Sequence, residues 1–406
     1  MKFAHLADVH IGSWRDPKLK EMSTLAFIKS IDLSIEEKVD FILISGDLFN
    51  TALPGIDQIK IVIRKLKEIK EKGISVYFIA GSHDFSPSGK TMLDIIEEAD
   101  LGINVTKGEI IEKENGESKL KLLFTTDKKT GAKITGMIGK RGMLEKKYYE
   151  DLDRDSLESE QGFRIFMFHT ALDELKPEDL SDMPSTPVSF LPRGFDYYAG
   201  GHVHIVKQKN LEEHGYKNLV YPGPIFPANF TELEKLGVGG FFIYENGKIT
   251  RKEITIKESI SFNIKIDNKT VEEARAIIEE SLVGKDIINK IILLRIHGSL
   301  KSGKSSDIDF NSMFERLYEK GAYFIMKNSS KLISKEFSEV MVSHASSEEL
   351  EDKLIQEHLN QTEHKFNNEL ESTKQLLKTF SEEKHEGEKV SDYDSRIKKE
   401  VDIILK

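Results

Sequence analysis

Aspartate and histidine are concentrated in five short segments, each at the end of an apolar run typical of a buried strand. The five segments are Asp8–His10, Gly46–Asn50, Gly81–Asp84, Phe168–Thr170 and Gly200–His204. In an open α/β sheet, the loops beyond the carboxyl ends of the strands converge on one crevice. Glycine beside the charged residues permits the sharp turns that such loops need. The pattern therefore predicts that segments scattered over the first half of the chain form one polar site.

The side chains available at this site indicate a pair of divalent metal ions. The sequence contains no cysteine, which excludes disulfides, thiolate-bound zinc and iron–sulfur clusters. Carboxylates and imidazoles suit manganese, iron, zinc or magnesium. Two ions about 3.5–4 Å apart can clamp the attacking and leaving oxygens of a phosphoryl displacement. We therefore expect a phosphoester hydrolase.

The fold class is predicted to be α/β. Residues 41–44 and 76–79 are continuous apolar runs typical of strands covered on both faces. Residues 59–69, between these runs, carry apolar side chains at helical spacing. This alternation of strands and helices is the α/β signature.

Two changes in pattern indicate three domains. Residues 258–335 repeat the strand–helix alternation on a smaller scale, and an amphipathic helical pattern follows from about residue 340. The predicted domains are a metal-binding domain at 1–255, a small α/β domain at 256–338 and a helical tail at 339–406.

The segments His5–Gly12 and Gly46–Asn50 resemble those of the meiotic-recombination-eleven family of repair nucleases, whose bacterial form is called SbcD. This family belongs to the calcineurin-like metallophosphoesterase superfamily. The resemblance implies a β-sandwich flanked by helices, a small capping domain and a helical tail. It also implies a manganese-dependent nuclease of double-strand break repair, with 3′-to-5′ exonuclease activity on duplex DNA and endonuclease activity on single strands.

Carried over by motif, the resemblance implies a role for each polar residue of the site. The implied metal ligands are Asp8, His10 and His204 for the first ion, Asp47 as the bridge, and His169, His202 and Ser82 for the second ion. His83 would face the scissile phosphate, stabilise charge and protonate the leaving oxygen, with Asp84 orienting it.

Two positions depart from the family pattern. Ser82 stands where the family usually has Asn, and its shorter side chain predicts weaker or water-mediated binding of the second ion. Asn50 stands where many members have a second His, and an amide cannot relay a proton near neutral pH. We nevertheless expect an active enzyme.

Candidate DNA contacts lie near the first ligand loops and at a glycine-flanked basic pair. They are Trp14, Arg15, Asn50, Lys140 and Arg141. Packing of Trp14 within its own loop is the alternative. Gly298–Ser305 matches the P-loop pattern, but the next strand does not end in the Asp that a nucleotidase requires. We expect a flexible basic loop or a DNA-backbone contact there rather than an ATP site.

The expected partners are duplex and single-stranded DNA ends, a second copy of the chain and, by resemblance, a Rad-fifty or SbcC-type coiled-coil ATPase. The apolar stripe within residues 345–405 would dock on that ATPase. Folding of the tail onto its own chain is the alternative. The resemblance also implies dimerisation through helices of the catalytic domain, for which residues 56–70 and 88–98 are the candidate surfaces.

Composition and charge indicate the cellular compartment of the protein and the extent of its DNA-binding surface. The net charge of -10 predicts a local rather than a global surface for DNA. No segment reaches the roughly 20 apolar residues of a membrane span, and the N-terminus lacks a signal-peptide pattern. We expect a cytoplasmic prokaryotic protein, archaeal by its richness in Lys, Ile and Glu, with no membrane association.

Two other functions stay open. The first is a phosphodiesterase that acts on a small cyclic nucleotide or, less in keeping with the residues after Asp47, on a phosphoprotein. The second is a weakly active scaffold subunit of the repair complex, supported by the departures at Ser82 and Asn50.

Overall fold

The computed structural model describes residues 1–86, 89–114, 116–140, 142, 144–334, 369–382, 384, 388 and 390–405. The chain forms two compact units, Met1–Ile333 and Ser334–Lys406. Among the described helices, none combines the length and apolar composition needed to cross a bilayer.

Strands and helices alternate along the chain. The strands are β1 (Lys2–Leu6), β2 (Phe41–Ser45), β3 (Ser75–Ile79), β4 (Ile103–Asn104), β5 (Gly108–Glu112), β6 (Ser118–Leu122), β7 (Thr125–Thr126), β8 (Lys133–Gly136), β9 (Arg164–His169), β10 (Tyr197–Gly201), β11 (Lys207–Leu211), β12 (Tyr216–Tyr221), β13 (Gly239–Glu245), β14 (Lys248–Ile254), β15 (Ser259–Lys269), β16 (Ile291–Leu300) and β17 (Phe324–Ser334). The helices are α1 (Pro17–Glu36), α2 (Ile56–Glu71), α3 (Leu93–Glu98), α4 (Lys146–Glu150), α5 (Arg154–Glu158), α6 (Phe230–Leu236), α7 (Val271–Leu282) and α8 (Phe310–Glu319), followed by Glu369–Ser381 and Val390–Ile404.

Two six-stranded sheets pack face to face. Their strand orders are β14-β13-β1-β2-β3-β4 and β11-β12-β10-β9-β8-β7. The central strands β1, β2, β3 and β4 are parallel, as are β8, β9, β10 and β12. Side chains from both sheets, including Phe41, Met167 and Tyr197, form the core between them. All carboxyl ends of one parallel set therefore point to one edge of the sandwich.

Helices cover the outer faces of the sandwich. Because successive side chains of a strand point to opposite faces, Phe41 and Leu43 enter the central core while Ile42 and Ile44 face outward. These outward residues share a core with Phe27 of α1 and with residues of α2. The predicted α/β class, with a sandwich flanked by helices, is confirmed.

The residues beyond 258 form a small three-stranded sheet with its own core. Its strand order is β15-β16-β17, β15 and β16 are parallel, and α7 and α8 pack on the sheet. Thr270 begins α7 with a capping box, in which its hydroxyl accepts the Glu273 N–H and Glu273 accepts the Thr270 N–H. The boundary near residue 255 remains a prediction, since the sheet lies within the compact unit Met1–Ile333.

The segment with the P-loop pattern is not arranged as a P-loop. Strand β16 continues through Gly298 to Leu300, and only a single 3-10 turn, Ser305–Asp307, follows Lys304. Helix α8 begins later, at Phe310. A phosphate would therefore not meet the helix N-terminus that this motif requires.

The two described tail helices pack against each other. The Tyr393 hydroxyl donates to the Glu382 carbonyl oxygen at 2.9 Å, and Arg396 pairs with Glu382 at 2.6 Å. Leu377 and Phe380 are 49% and 62% exposed, so apolar surface remains uncovered. Residues 335–368, which carry the first part of the predicted partner-binding stripe, lie outside the described residues.

Candidate metal centre

All five Asp- and His-rich segments meet at one edge of the sandwich. Asp8 and His10 follow β1, Asp47 follows β2, His169 ends β9, and His204 follows β10. Asp8, His10, Asp47 and His169 are each at most 2% exposed. A region that buries two carboxylates beside several imidazoles is expensive unless cations or protons compensate the charge.

Three overlapping groups of ligand atoms lie within 4.8 Å of one another. They are Asp8 with His10 and His204, His10 with Asp47 and His83, and Asp8 with Asp47 and His169. Asp8 and Asp47 belong to two groups each, as does His10. The overlap suits two ions that share carboxylate ligands.

Imidazole nitrogens lie at hydrogen-bonding distance from one another and from the carboxylates. The Nε2 atoms of His10 and His204 are 2.9 Å apart. His169 Nε2 lies 3.1 Å from Asp47 Oδ2, and its Nδ1 lies 2.8 Å from the Ser45 carbonyl oxygen. In the described part of the chain, the ion-pair partners of Asp8 and Asp47 are histidines.

Five of the predicted ligands have a positive φ angle, which is uncommon for residues other than glycine. The φ angles of Asp8, His10, Asp47, His202 and His204 are 49°, 45°, 53°, 100° and 54°. Left-handed φ costs a non-glycine residue roughly 1–3 kcal/mol and is typically retained where function requires the geometry.

Gly46 permits the close approach of His169. Its φ is +88°, and a Cβ there would lie 2.1 Å from His169 Nδ1. Gly81 makes a similar approach on the other side, since its Cβ would lie 2.3 Å from Asp47 Oδ1. Glycine at these two positions lets both neighbouring loops reach the centre.

The pKa values reflect this burial and charge. Burial raises the pKa of Asp8. Burial opposes ionisation of Asp47 as well, but His169 and the other neighbouring imidazoles hold its pKa far below the ordinary range. Despite the burial of His169, Asp47 and Asp8 raise the pKa of His169 to about 10. Burial is likewise outweighed at His204, where Asp8 and a hydrogen-bonded carboxylate raise the pKa to about 9.

The pKa values of His10 and His202 shift in the opposite direction. Burial lowers the pKa of His202 to about 3, and it lowers that of His10 well below the ordinary value. The pKa values of His169 and His204 are thus raised, whereas those of His10 and His202 are lowered. The carboxylate and imidazole donors fit divalent ions, whose binding displaces protons from their ligands.

His83 is oriented by a backbone carbonyl. Its Nδ1 donates to the Asn50 carbonyl oxygen at 3.0 Å, and its own backbone N–H donates to Asp47 Oδ1 at 2.7 Å. Since a carbonyl only accepts, Nδ1 carries hydrogen and Nε2 is available to a substrate. Asp84 was predicted to orient His83, but the Asn50 carbonyl oxygen orients the imidazole instead.

Asp84 instead connects the ligand loops. Its carboxylate accepts the backbone N–H groups of Leu48, Phe49 and Gly81 at 3.3, 3.1 and 2.9 Å. Burial and the nearby Asp47 raise the pKa of Asp84 to about 7. Asp84 thus positions the loop after β2 against the loop after β3, which indicates a structural role.

A further residue, Glu232, was not predicted from the sequence. Its Oε1 accepts from His204 Nδ1 at 3.0 Å, and its Oε2 accepts the Ala228 N–H at 2.8 Å. A carboxylate that holds the outer nitrogen of a ligating imidazole fixes its tautomer and direction. The available signal was Asn229 three residues before Glu232, a pattern typical of a helix start.

The remaining predicted ligands lie beside the three groups. The His202 ring is centred 5.1 Å from the His169 ring, and the His202 backbone N–H donates to Asp8 Oδ1 at 2.8 Å. Ser82 is buried at 7% exposure. Ligation by His202 and Ser82 remains a prediction.

A pocket of about 430 Å³ lies beside the centre. It is lined by Ser82, Phe85, Ser86, Gly89, Ile138, Lys140 and Leu144. These residues belong to the loops after β3 and β8, and Ser82 adjoins His83 in the chain. The pocket therefore adjoins the predicted ligand Ser82, and Phe85, Ile138 and Leu144 give it an apolar wall.

The candidate DNA contacts have differing environments. The Trp14 indole N–H donates to the Pro227 carbonyl oxygen at 3.0 Å, and its ring packs on two core clusters. Arg15 is exposed. The Lys140 ammonium donates to the Tyr148 hydroxyl at 2.7 Å. Arg141 lies outside the described residues. DNA contact by these side chains remains a prediction.

Comparison with known proteins agrees with this geometry. The model of the family described as Calcineurin-like phosphoesterase matches residues 1–206, which include every predicted metal ligand. The chain belongs to the calcineurin-like phosphoesterase family. Members of this phosphoesterase family hold divalent metals, which is what the buried Asp and His groups fit.

Relatives of this phosphoesterase include proteins named DNA double-strand break repair protein Mre11. That of Archaeoglobus fulgidus is 27% identical over 288 residues, covering 67% of this chain and 63% of its own length. That of Methanococcus maripaludis is 28% identical over 295 residues, covering 67% and 73%. The Uncharacterized metallophosphoesterase YhaO of Bacillus subtilis is 26% identical over 264 residues, covering 62% and 59%. These likenesses confirm the predicted resemblance to the Mre11 and SbcD type of phosphoesterase.

Proposed function

We propose that this phosphoesterase is a manganese-dependent nuclease that hydrolyses phosphodiester bonds at DNA ends during double-strand break repair. The observation that carries the proposal is the buried set of overlapping Asp and His groups at the sandwich edge. The names of the archaeal relatives supply the substrate class.

The residues of the centre divide the work. Asp8, Asp47 and the ligating histidines would hold two divalent ions, which supply charge stabilisation for the phosphate and an acidified water. His83 presents Nε2 toward the site because its Nδ1 is held by the Asn50 carbonyl oxygen. A protonated His83 there stabilises the developing charge and gives its proton to the leaving oxygen.

The pocket beside the centre supports a nucleic-acid substrate. When the scissile phosphate sits at the metals, the adjoining nucleoside needs a site within reach of Ser82 and His83. An apolar wall that includes Phe85 and the 70%-exposed Leu144 suits the face of a base. We further propose 3′-to-5′ exonuclease activity on duplex ends and endonuclease activity on single strands.

Assembly with a coiled-coil ATPase and with a second copy of the chain completes the proposal. Exposed Leu377 and Phe380 on the described part of the tail support a partner-binding surface. Exposed Ile56 on α2 and Ile95 on α3 support a dimer surface.

The test is hydrolysis of end-labelled duplex and single-stranded DNA by metal-depleted protein, with and without added Mn²⁺. A cyclic dinucleotide serves as the alternative substrate. The D47N variant should lose DNA cleavage, whereas D127N, which alters an equally buried carboxylate paired with the Tyr77 hydroxyl, should retain it. Preferential turnover of the cyclic dinucleotide would favour the small-molecule phosphodiesterase, and no turnover of either substrate would favour the scaffold.

A further inference from the structure

Helix α6 lies between the metal centre and the three-stranded sheet. On one side, Glu232 accepts a hydrogen bond from His204 at 3.0 Å. On the other side, Leu233 shares a buried apolar cluster with Ile291 and Leu293 of β16. The helix has seven residues, so its position depends on both sets of contacts.

Arg295 of β16 fixes the same helix by a two-pronged ion pair. Its Nε lies 2.8 Å from each carboxylate oxygen of Glu234, and its Nη2 lies 2.6 Å from Oε2. The guanidinium also lies 5.1 Å from the centre of the Phe230 ring. Planar paired contacts of this kind restrict direction as well as distance. Both side chains are about four-fifths buried, which limits screening by water.

We propose that Arg295 is a positioning residue for the first metal site and acts through α6. Glu232 and Glu234 are two positions apart and so project from opposite sides of the helix. Glu234 holds the helix to the small sheet, and Glu232 then meets His204 at hydrogen-bonding distance. The small sheet thereby contributes to metal affinity, although its residues supply none of the seven predicted ligands. The inference rests on the proposed metal centre.

The experiment is a Mn²⁺ titration of the full-length chain, followed by electron paramagnetic resonance without DNA. E232Q sets the reference, since loss of a partner of a ligating imidazole typically weakens metal binding about 10- to 100-fold. R295A, one contact further away, should weaken one Mn²⁺ site about 3- to 10-fold. R295K, which keeps the charge but loses the paired geometry, should fall between R295A and the unchanged protein.

R316A is the matched control. Arg316 of α8 pairs with Glu279 of α7, and both helices pack on the same small sheet. Removing Arg316 therefore breaks an ion pair near β16 without changing a contact of α6. R316A should leave both Mn²⁺ affinities unchanged. In the double variant R295A/E232Q, binding should be no weaker than in E232Q alone, because both changes act on the same hydrogen bond to His204.

Each outcome decides the matter. Weaker Mn²⁺ binding in R295A but not in R316A, with no added loss in the double variant, supports the inference. Unchanged binding in R295A, equal losses in R295A and R316A, or additive losses in R295A/E232Q would overturn it. If the unchanged protein bound no Mn²⁺, the proposed metal centre itself would fail, and the inference with it.

Discussion

Replacing Gly46 with alanine is expected to disturb the metal centre far more than the size of a methyl group suggests. The new Cβ would lie 2.1 Å from His169 Nδ1, whereas ordinary contact begins near 3.4 Å, so the ring must retreat by about 1.3 Å. The His169 side chain is fully buried, with hydrogen bonds to the Ser45 carbonyl oxygen and to Asp47. A retreat of that size breaks both.

The magnitude follows from three contributions. The left-handed φ of +88° costs alanine about 1–2 kcal/mol. Overpacking in a tight core adds about 1–3 kcal/mol. Two lost hydrogen bonds add about 1–3 kcal/mol together. G46A should therefore lose about 3–8 kcal/mol of stability, and its affinity for one Mn²⁺ ion should fall as His169 moves.

Gly73 provides the matched control. It also has a positive φ, +71°, but a Cβ there would meet nothing within 4 Å. G73A should cost only about 1 kcal/mol, from the backbone alone. Urea denaturation of both metal-free variants, with Mn²⁺ titrations of each, measures the difference. Equal losses in G46A and G73A would show that the approach of Gly46 to His169 is unimportant.

Three further predictions concern the chemistry of the site. H83Q should abolish DNA cleavage while Mn²⁺ and DNA still bind; normal turnover would remove the assigned role of His83. Because the pKa values of His169 and His204 are raised to about 10 and about 9, Mn²⁺ binding should release about two protons and tighten as pH rises from 6 to 8. Calorimetry in buffers of different ionisation enthalpy measures this release, and its absence would mean that these histidines are not ligands. L144S, in the pocket wall, should raise the KM for single-stranded DNA about 2- to 10-fold. I110S, which changes a side chain of the same 70% exposure on β5, should leave the KM unchanged. Equal effects of the two variants would show that the pocket does not bind DNA.

Much of the centre could be predicted because the signal for each ligand loop lies within a few residues of the sequence. Each ligand loop follows a continuous apolar run, and such runs become strands buried on both faces. Because the carboxyl ends of parallel strands lie at the same edge of a sheet, the loops that follow them lie close together. The small domain was predictable for the same reason, although its first strand, β15, continues past its apolar residues to Lys269. The extra residues include exposed Asp267 and Asn268, whose polarity favours a loop assignment.

The rest of the centre depends on contacts that leave little trace in sequence. Glu232 lies 28 residues from His204, and only its place near a helix start was visible. Strand β5 is mostly exposed, so its side chains carry no clear periodicity of burial. The prediction that Asp84 orients His83 rested on their adjacency in the chain, whereas the Asp84 carboxylate accepts three backbone N–H groups and so connects two loops.

The group of residue 50 that holds His83 is the backbone carbonyl, not the side chain. Every amino acid presents the same oxygen at that point of the chain, so a mutation of Asn50 that preserves the fold leaves the imidazole tautomer unaltered. A comparison that scores only side-chain identity would count Asn50 against catalytic competence. The orientation of His83 is instead set by the path of the loop, so the side chain at position 50 can vary without changing that orientation.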